Sequence, residues 1–137
     1  MRVYVETSVV LRAVLGEPGR LAGWSRIKDP MTSEITRVEC LRALDRLRLA
    51  GGMPDRELAR RRATALTTLD AFKVVRLNRA VLDRAGEPFP TLIRTLDAIH
   101  LASALLLRVR FPSMRFATHD RDLAAAALAE GVPVLGP

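Results

Sequence analysis

The strongest constraint lies in the first sixteen residues, where Val3-Tyr4-Val5 runs without a turn residue into Glu6-Thr7-Ser8. β-Branched and aromatic side chains in an unbroken run suit a strand buried within a sheet rather than one on its rim. Immediately afterwards Val9, Val10, Ala13 and Val14 recur at helical spacing, and Thr7 or Ser8 can accept a backbone N–H as the helix N-cap. A strand passing straight into a helix leaves Glu6 where the strand's carboxyl end meets a helix N-terminus. In open α/β sheets that edge is where ligands bind.

The alternation continues. Gly16, Pro18 and Gly19 mark a turn, Leu21 to Ile27 reads as a short helix, and Pro30 to Ser33 as a second strand. From Ile35 to Leu49 the apolar residues Ile35, Val38, Leu41, Leu44 and Leu47 step by three, predicting an amphipathic helix that stops at Gly51-Gly52. Its other face carries Arg37, Arg42, Arg46 and Arg48. Pro54-Asp55 opens a helix to about Thr67 that holds Arg56, Arg60, Arg61 and Arg62. Phe72 to Leu77 reads as a strand, Arg79 to Ala85 as a short helix, and Gly86 to Pro90 as a loop. Leu92 to Arg108 is strongly helical, with Leu92, Leu96, Ile99, Ala102 and Leu106 on one face. Met114 to Ala117, Asp120 to Glu130 and Pro133 to Leu135 complete the pattern as strand, helix and strand. The expected fold is α/β, a parallel sheet of four or five strands with helices on both faces. At 137 residues, without linker or repeat, the chain reads as one domain.

Composition narrows the partners. Twenty-two basic residues face 15 acidic ones, a formal +7, and only Lys28 and Lys73 among the basic set are not arginine. A polyanionic partner follows from the excess. The cluster Arg60-Arg61-Arg62 has two readings, an RNA track or a solvated helix face. The longest apolar run, Leu123 to Ala129, is mostly alanine and far below the ~20 residues of a membrane span. Glu6 interrupts the N-terminus before a signal-like apolar segment can form. Cys40, a single cysteine, cannot form an internal disulfide; it reads as a small buried apolar residue in a protein of the reducing cytoplasm.

Four acids fall at or near the expected element junctions, namely Glu6, Glu39, Asp97 and Asp120, with Asp122 two residues on. Each has a structural role open to it. Glu39 completes Thr36-x-x-Glu39, a capping box; Asp97 suits the start of a helix; Asp120 can cap its own helix. Taken together, acids crowded on one sheet edge repel one another unless a cation neutralises them. Oxygen ligands without a Cys or His cluster point to Mg²⁺ or Mn²⁺ rather than zinc.

These residues carry a family resemblance. Tyr4-Val5-Glu6-Thr7-Ser8, the helix start Thr36-x-x-Glu39, Leu96-Asp97-Ala98-Ile99-His100-Leu101-Ala102 and Thr118-His119-Asp120 resemble the four acidic motifs of PIN-domain ribonucleases. Their order and spacing are similar to the VapC toxins of VapBC toxin-antitoxin pairs. The resemblance implies a PIN-like three-layer domain over residues 1–137 and a Mg²⁺-dependent endoribonuclease, with Mn²⁺ as an alternative ion. Glu6, Asp97 and Asp120 then hold the metal, and Glu39 ligates it or accepts a proton from water. Asp122 is an auxiliary, and Thr118 either supports the last acid or caps the last helix. It further implies a small VapB-like antitoxin laying a segment, with an Arg, across the acids, and a homodimer. The helices near residues 35 to 67 are the expected surface for both contacts. A PIN domain that binds RNA or antitoxin without cleavage is the alternative.

One residue departs from the family pattern, which usually has Asp in the first motif. Glu6 adds about 1.5 Å of reach, which a water-bridged contact to the ion would absorb. His100 reads as a packing or supporting histidine, and His119 is set outside the catalytic group. An aspartyl-nucleophile phosphatase would need Asp at Glu6 and a second Asp at Ser8. A dinucleotide-binding module would need a Gly-rich turn after the first strand, which is absent.

Overall fold

Five parallel strands form one sheet in the order β3-β2-β1-β4-β5 in the structure, a computed structural model that describes residues 1–137. The strands are β1 Arg2–Val5, β2 Asp29–Ser33, β3 Lys73–Val75, β4 Arg115–Ala117 and β5 Val134–Leu135. Around them lie α1 Thr7–Leu15, α2 Ile35–Leu49, α3 Asp55–Asp70, α4 Arg79–Gly86, α5 Thr95–Arg110 and α6 Arg121–Ala129.

The central strand explains the layering. Val3 and Val5 point to one face, where they join Val9, Val10 and Val14 of α1, Cys40 and Leu44 of α2, and Leu58, Ala65 and Leu69 of α3. Tyr4 points to the other face and packs with Leu101 and Ala104 of α5, Phe116 of β4, and Leu123, Ala126 and Ala127 of α6. The period-two alternation of a strand thus builds two cores, one on each face. The Tyr4 and Phe116 rings stack with centroids 5.4 Å apart. No helix is long and apolar enough to cross a membrane.

Several boundaries differ from the sequence expectation, each for a local reason. Leu21 to Ile27 forms only a 3-10 turn, Trp24–Arg26, because Gly23 enters it in the left-handed region at φ 83°. The helix expected from Leu92 begins at Thr95, after Arg94 in extended conformation, and Leu92 stands 96% exposed. The side α5 buries is Ala98, His100, Leu101, Ala102, Ser103 and Ala104, four small residues around the two large side chains of His100 and Leu101. On α2 the buried positions are Thr36, Cys40 and Leu44, while Val38 is 60% exposed. β3 is shorter than Phe72 to Leu77 because it is an edge strand paired only with β2.

The topology places the site. β1 pairs with β2 on one side and β4 on the other, so strand order reverses at β1 and opens a crevice at the carboxyl ends of β1 and β4. Val5 lies in register with Ala117, and the Glu6 N–H donates to the Ala117 carbonyl at 2.9 Å. Glu6 and the Thr118–Asp120 turn therefore emerge side by side.

Candidate active site at the carboxyl edge of the sheet

Glu6 is the N-cap of α1, a place the sequence suggested for Thr7 or Ser8. Its Oε1 accepts from the Ser8 N–H at 3.0 Å, and its Oε2 accepts from the Ser8 hydroxyl and from Thr118 Oγ1 at 3.0 Å. Glutamate is long enough to curl back over the first turn, and the residue is only 6% exposed. Thr118 supports two acids and leaves the cap of α6 to Asp120: its hydroxyl donates to Glu6 and accepts from the Asp120 N–H at 3.0 Å. Asp120 caps α6 through Oδ1, which accepts from the Leu123 N–H at 2.8 Å.

Glu39 does not form the capping box. Thr36 Oγ1 instead lies 2.7 Å from Thr32 Oγ1, whose hydroxyl donates to the Val5 carbonyl, and α2 begins with no side-chain cap. The Glu39 carboxylate turns to the other side, where Oε1 accepts from Thr7 Oγ1 at 2.7 Å and His100 Nε2 at 2.6 Å. His100 is fully buried, and its Nδ1 lies 2.9 Å from the Tyr4 hydroxyl. Burial raises the Tyr4 hydroxyl far above its ordinary value, and the Glu6 and Glu39 charges add to this, so it stays protonated. An ionised carboxylate only accepts, so the proton on His100 sits on Nε2 and Tyr4 donates to Nδ1. Burial pushes Glu39 up, yet the hydrogen bonds from His100 and the Thr7 hydroxyl bring it below the usual carboxylate range. The chain Tyr4–His100–Glu39 is thus a directed, buried relay that fixes one carboxylate oxygen.

Asp97, in the first turn of α5, behaves in the opposite way. Burial raises its carboxyl, and the charges of Asp120, Glu6 and, more weakly, Glu39 raise it further, against a smaller opposing effect of His100. Asp97 and Asp120 line one open cleft of about 420 Å³ with Asp122, Leu92, Ile93 and Arg94. The four acids border one edge without closing on a single point, for nowhere do three acidic, histidine or cysteine side chains stand ready to hold one ion together. A hard divalent cation that keeps several waters needs only one or two protein carboxylates. The pair Asp97 and Asp120, all-oxygen and mutually repelling in an open cleft, fits that requirement.

Other groups near the edge are settled by their surroundings. Burial first, with the Glu39 and Glu6 charges, pushes the Cys40 thiol up to about 12, so it is a packing residue. Burial and the Arg12 charge hold His119 below the ordinary imidazole range, with Glu6 opposing. On α2, Arg42 and Arg48 share Asp45 at 2.8 Å and 2.9 Å. On α3, Arg61 is structural: it donates to the Val14 carbonyl at 2.8 Å and to Glu57 at 3.2 Å, tying α3 to α1. Arg56, Arg60 and Arg62 are exposed.

A five-stranded parallel sheet with an acidic crevice at its switch point defines a class, and comparison with known proteins gives the class its name. The model of the PIN domain family matches residues 3–129, and the chain belongs to that family, among its VapC ribonucleases. It is 36% identical over 138 residues to Ribonuclease VapC46 of Mycobacterium tuberculosis, covering 98% of this chain and 97% of that one. Ribonuclease VapC47 of the same species is 29% identical over 98% of this chain and 96% of its own. The fold matches VapBC2 from Rickettsia felis, solved on a promoter DNA fragment, with a TM-score of 0.69 at 9% identity, covering 99% and 98% of the two chains. A toxin-antitoxin complex from Klebsiella pneumoniae matches with a TM-score of 0.62 at 16% identity, over 90% and 91%.

Sequence reasoning missed the partners that hold the acids. Tyr4 read as a strand residue, and its hydroxyl meets His100 only because β1 and α5 pack together across 96 positions of chain. Thr7 and Ser8 read as alternative caps and proved instead to grip Glu39 and Glu6. The three-residue spacing of Asp97 and His100 was the one available signal that this turn of α5 serves two acids.

Proposed function

We propose that residues 1–137 form a single PIN domain that acts as the toxin of a type II toxin-antitoxin pair, a divalent-metal-dependent endoribonuclease of the cytoplasm. The observation that carries this reading is the shared cleft of Asp97 and Asp120, where burial and then the charges of Asp120 and Glu6 hold the Asp97 carboxyl above its usual range. Such a site is strained without a cation and relaxed with one.

In this reading Asp97 and Asp120 would hold the ion, and Glu6, fixed in place by Ser8 and Thr118, would stand beside them as a further oxygen ligand. When bound, Mg²⁺ or Mn²⁺ supplies a Lewis acid that polarises the phosphodiester and lowers the pKa of water. Glu39, with Oε1 clamped by Thr7 and His100, keeps Oε2 to accept a proton from the attacking water. Asp122 adds negative charge at the rim of the same cleft.

An antitoxin segment would lie along an apolar groove of about 490 Å³ between α4 and α5, lined by Leu82, Phe89, Leu92, Ile93 and Ile99. The groove shares Leu92, Ile93 and Arg94 with the acidic cleft, so one peptide could fill it and present an Arg to Asp97 and Asp120. Exposed Val38 and Leu96 flank a second groove beside Glu39, suited to a second copy of the chain.

A non-catalytic RNA- or antitoxin-binding domain is favoured by one observation, that three hydrogen bonds engage the Glu6 carboxylate. One assay separates the two readings. RNA should be cut with added Mg²⁺ or Mn²⁺ and left intact with a chelator; intact RNA under both conditions would establish the non-catalytic form.

A further inference from the structure

The turn after β4 is a ridge between two differently charged pockets. Asp120 and Asp122 line the acidic cleft on one side, whereas His119 and Arg121 line a separate pocket of about 390 Å³ on the other, with Arg12 and Arg20. His119 and Arg121 thus face one side of the ridge and Asp120 and Asp122 the other.

We propose that this second pocket is a phosphate subsite that holds the RNA backbone next to the scissile phosphodiester, an assignment that rests on the nuclease reading above. Three guanidinium groups converge there, and neither Arg20 nor Arg121 is ion-paired to a carboxylate of the chain. Arg12 is held loosely, 3.8 Å from Glu17 and 3.5 Å from the Gly19 carbonyl, so it is oriented and still free to donate. His119 Nε2 is buried without a hydrogen-bond partner. The floor is kept open by Gly136 at φ 83°, where a Cβ would run into the Thr118 carbonyl and lie 3.3 Å from Leu21.

Electrostatics explains why the ligand is a nucleic-acid phosphate rather than a peptide. A phosphate strand approaching Asp97, Asp120 and Asp122 is repelled unless fixed positive charge stands close by, and this pocket is the concentration of arginine adjoining the acids. Its side chains are three arginines and His119 against Leu21, Ala22 and Pro137, with no carboxylate among them, so the lining suits an anion. The two pockets adjoin at residues His119 to Asp122, each of which lines one or the other, so an RNA strand crossing this ridge would meet both.

The test is the salt dependence of RNA binding. Asp97→Asn protein, which should not cut, is titrated with a labelled single-stranded RNA at several salt concentrations, with and without the added pair Arg20→Ala and Arg121→Ala. Both arginines are exposed and unpaired, so the melting temperature should not change. Loss of two phosphate contacts should weaken binding about ten-fold near 0.1 M salt and reduce the slope of log K against log salt by about 1.4. In the otherwise native protein, cleavage at sub-saturating RNA should fall about as much as binding does. Unchanged affinity and slope would overturn the subsite, as would a slope that responds to Arg60→Ala with Arg62→Ala instead. A variant that binds RNA normally and loses affinity for an antitoxin peptide would assign the pocket to that partner and also overturn it. Because binding is read without cleavage, a changed slope in a protein that never cuts RNA would refute the nuclease reading and leave the subsite standing.

Discussion

Asp97 pays at the residue scale for the crowding of acids around it, and substitution should reveal the cost. Its native carboxyl is raised by burial and by Asp120 and Glu6, so the native state holds the proton to higher pH than the unfolded chain does. Stability from this group is complete below the unfolded carboxyl range and is lost as pH rises through the raised native value. Asp97→Asn should therefore melt a few degrees higher than the parent at pH 7 without metal, and the advantage should vanish on acidification. Added Mg²⁺ should raise the parent's melting temperature and barely move the variant's, because a ligand stabilises only the state that binds it. Cleavage should meanwhile fall by orders of magnitude. A variant that melts below the parent in chelator would sink the charge-crowding account.

His100 gives the second residue-scale test. His100→Leu leaves both the Glu39 carboxylate and the Tyr4 hydroxyl without their buried partner, at a cost of about 2–4 kcal/mol. His100→Gln restores a donor near Nε2. If His100 positions Glu39, Gln should recover kcat more fully than it recovers melting temperature, with KM for RNA steady in both. Equal losses of kcat in the two variants would reduce His100 to a packing residue.

At the scale of elements, the site depends on how strand ends are held. Gly136, just past β5, lies at φ 83° against the Thr118 carbonyl, whose residue also donates to Glu6. Gly136→Ala combines a left-handed strain with a backbone clash and should cost about 1–3 kcal/mol. Thermal melting checks the cost, and an unchanged melting temperature would mean that the β5 end moves freely. At the opposite edge, Asp29 of β2 binds Arg2 of β1 and Lys73 of β3, and hydrogen bonds from Lys73 and Arg2 hold its carboxyl below the ordinary range. A lowered native value means that this stability is full at neutral pH, begins to fall near pH 4, and is gone below the depressed value. Asp29→Asn should consequently lower the melting temperature at pH 7 and make no difference at about pH 2.

For the whole molecule, the sheet order makes β1 the structural centre, since Val3, Tyr4 and Val5 are fully buried and paired on both sides. Amides of β1 and β4 should exchange slowest with deuterium, and those of β3, which pairs on one side only, faster. Exchange in β3 as slow as in β1 would contradict a core centred on β1. Much of this architecture was legible beforehand: the Val3-Tyr4-Val5 run, the helical period of Val9 to Val14, and the Gly51-Gly52 stop all describe local preferences that packing did not override. The α1 and α2 spans, Thr7–Leu15 and Ile35–Leu49, agree with periodicity and turn residues alone. Where local signals competed with tertiary packing they failed. Of the stripe expected on α5, Ala102 is buried whereas Leu92 and Leu96 stand exposed, and the helix turns Ala98, Leu101 and Ala104 inward instead. The acids were visible as residue types at junctions, since strand ends and helix starts are written locally. Their partners were not. That Glu39 leaves its own helix start for Thr7 and His100, that Glu6 is gripped by Thr118, and that Arg12, Arg20 and Arg121 share one pocket all depend on segments brought together across the chain by strand order. Sequence alone determined the elements and the four candidate acids, because these follow from near-neighbour chemistry; only the tertiary structure decided which oxygen is free, which proton is held and which charges meet.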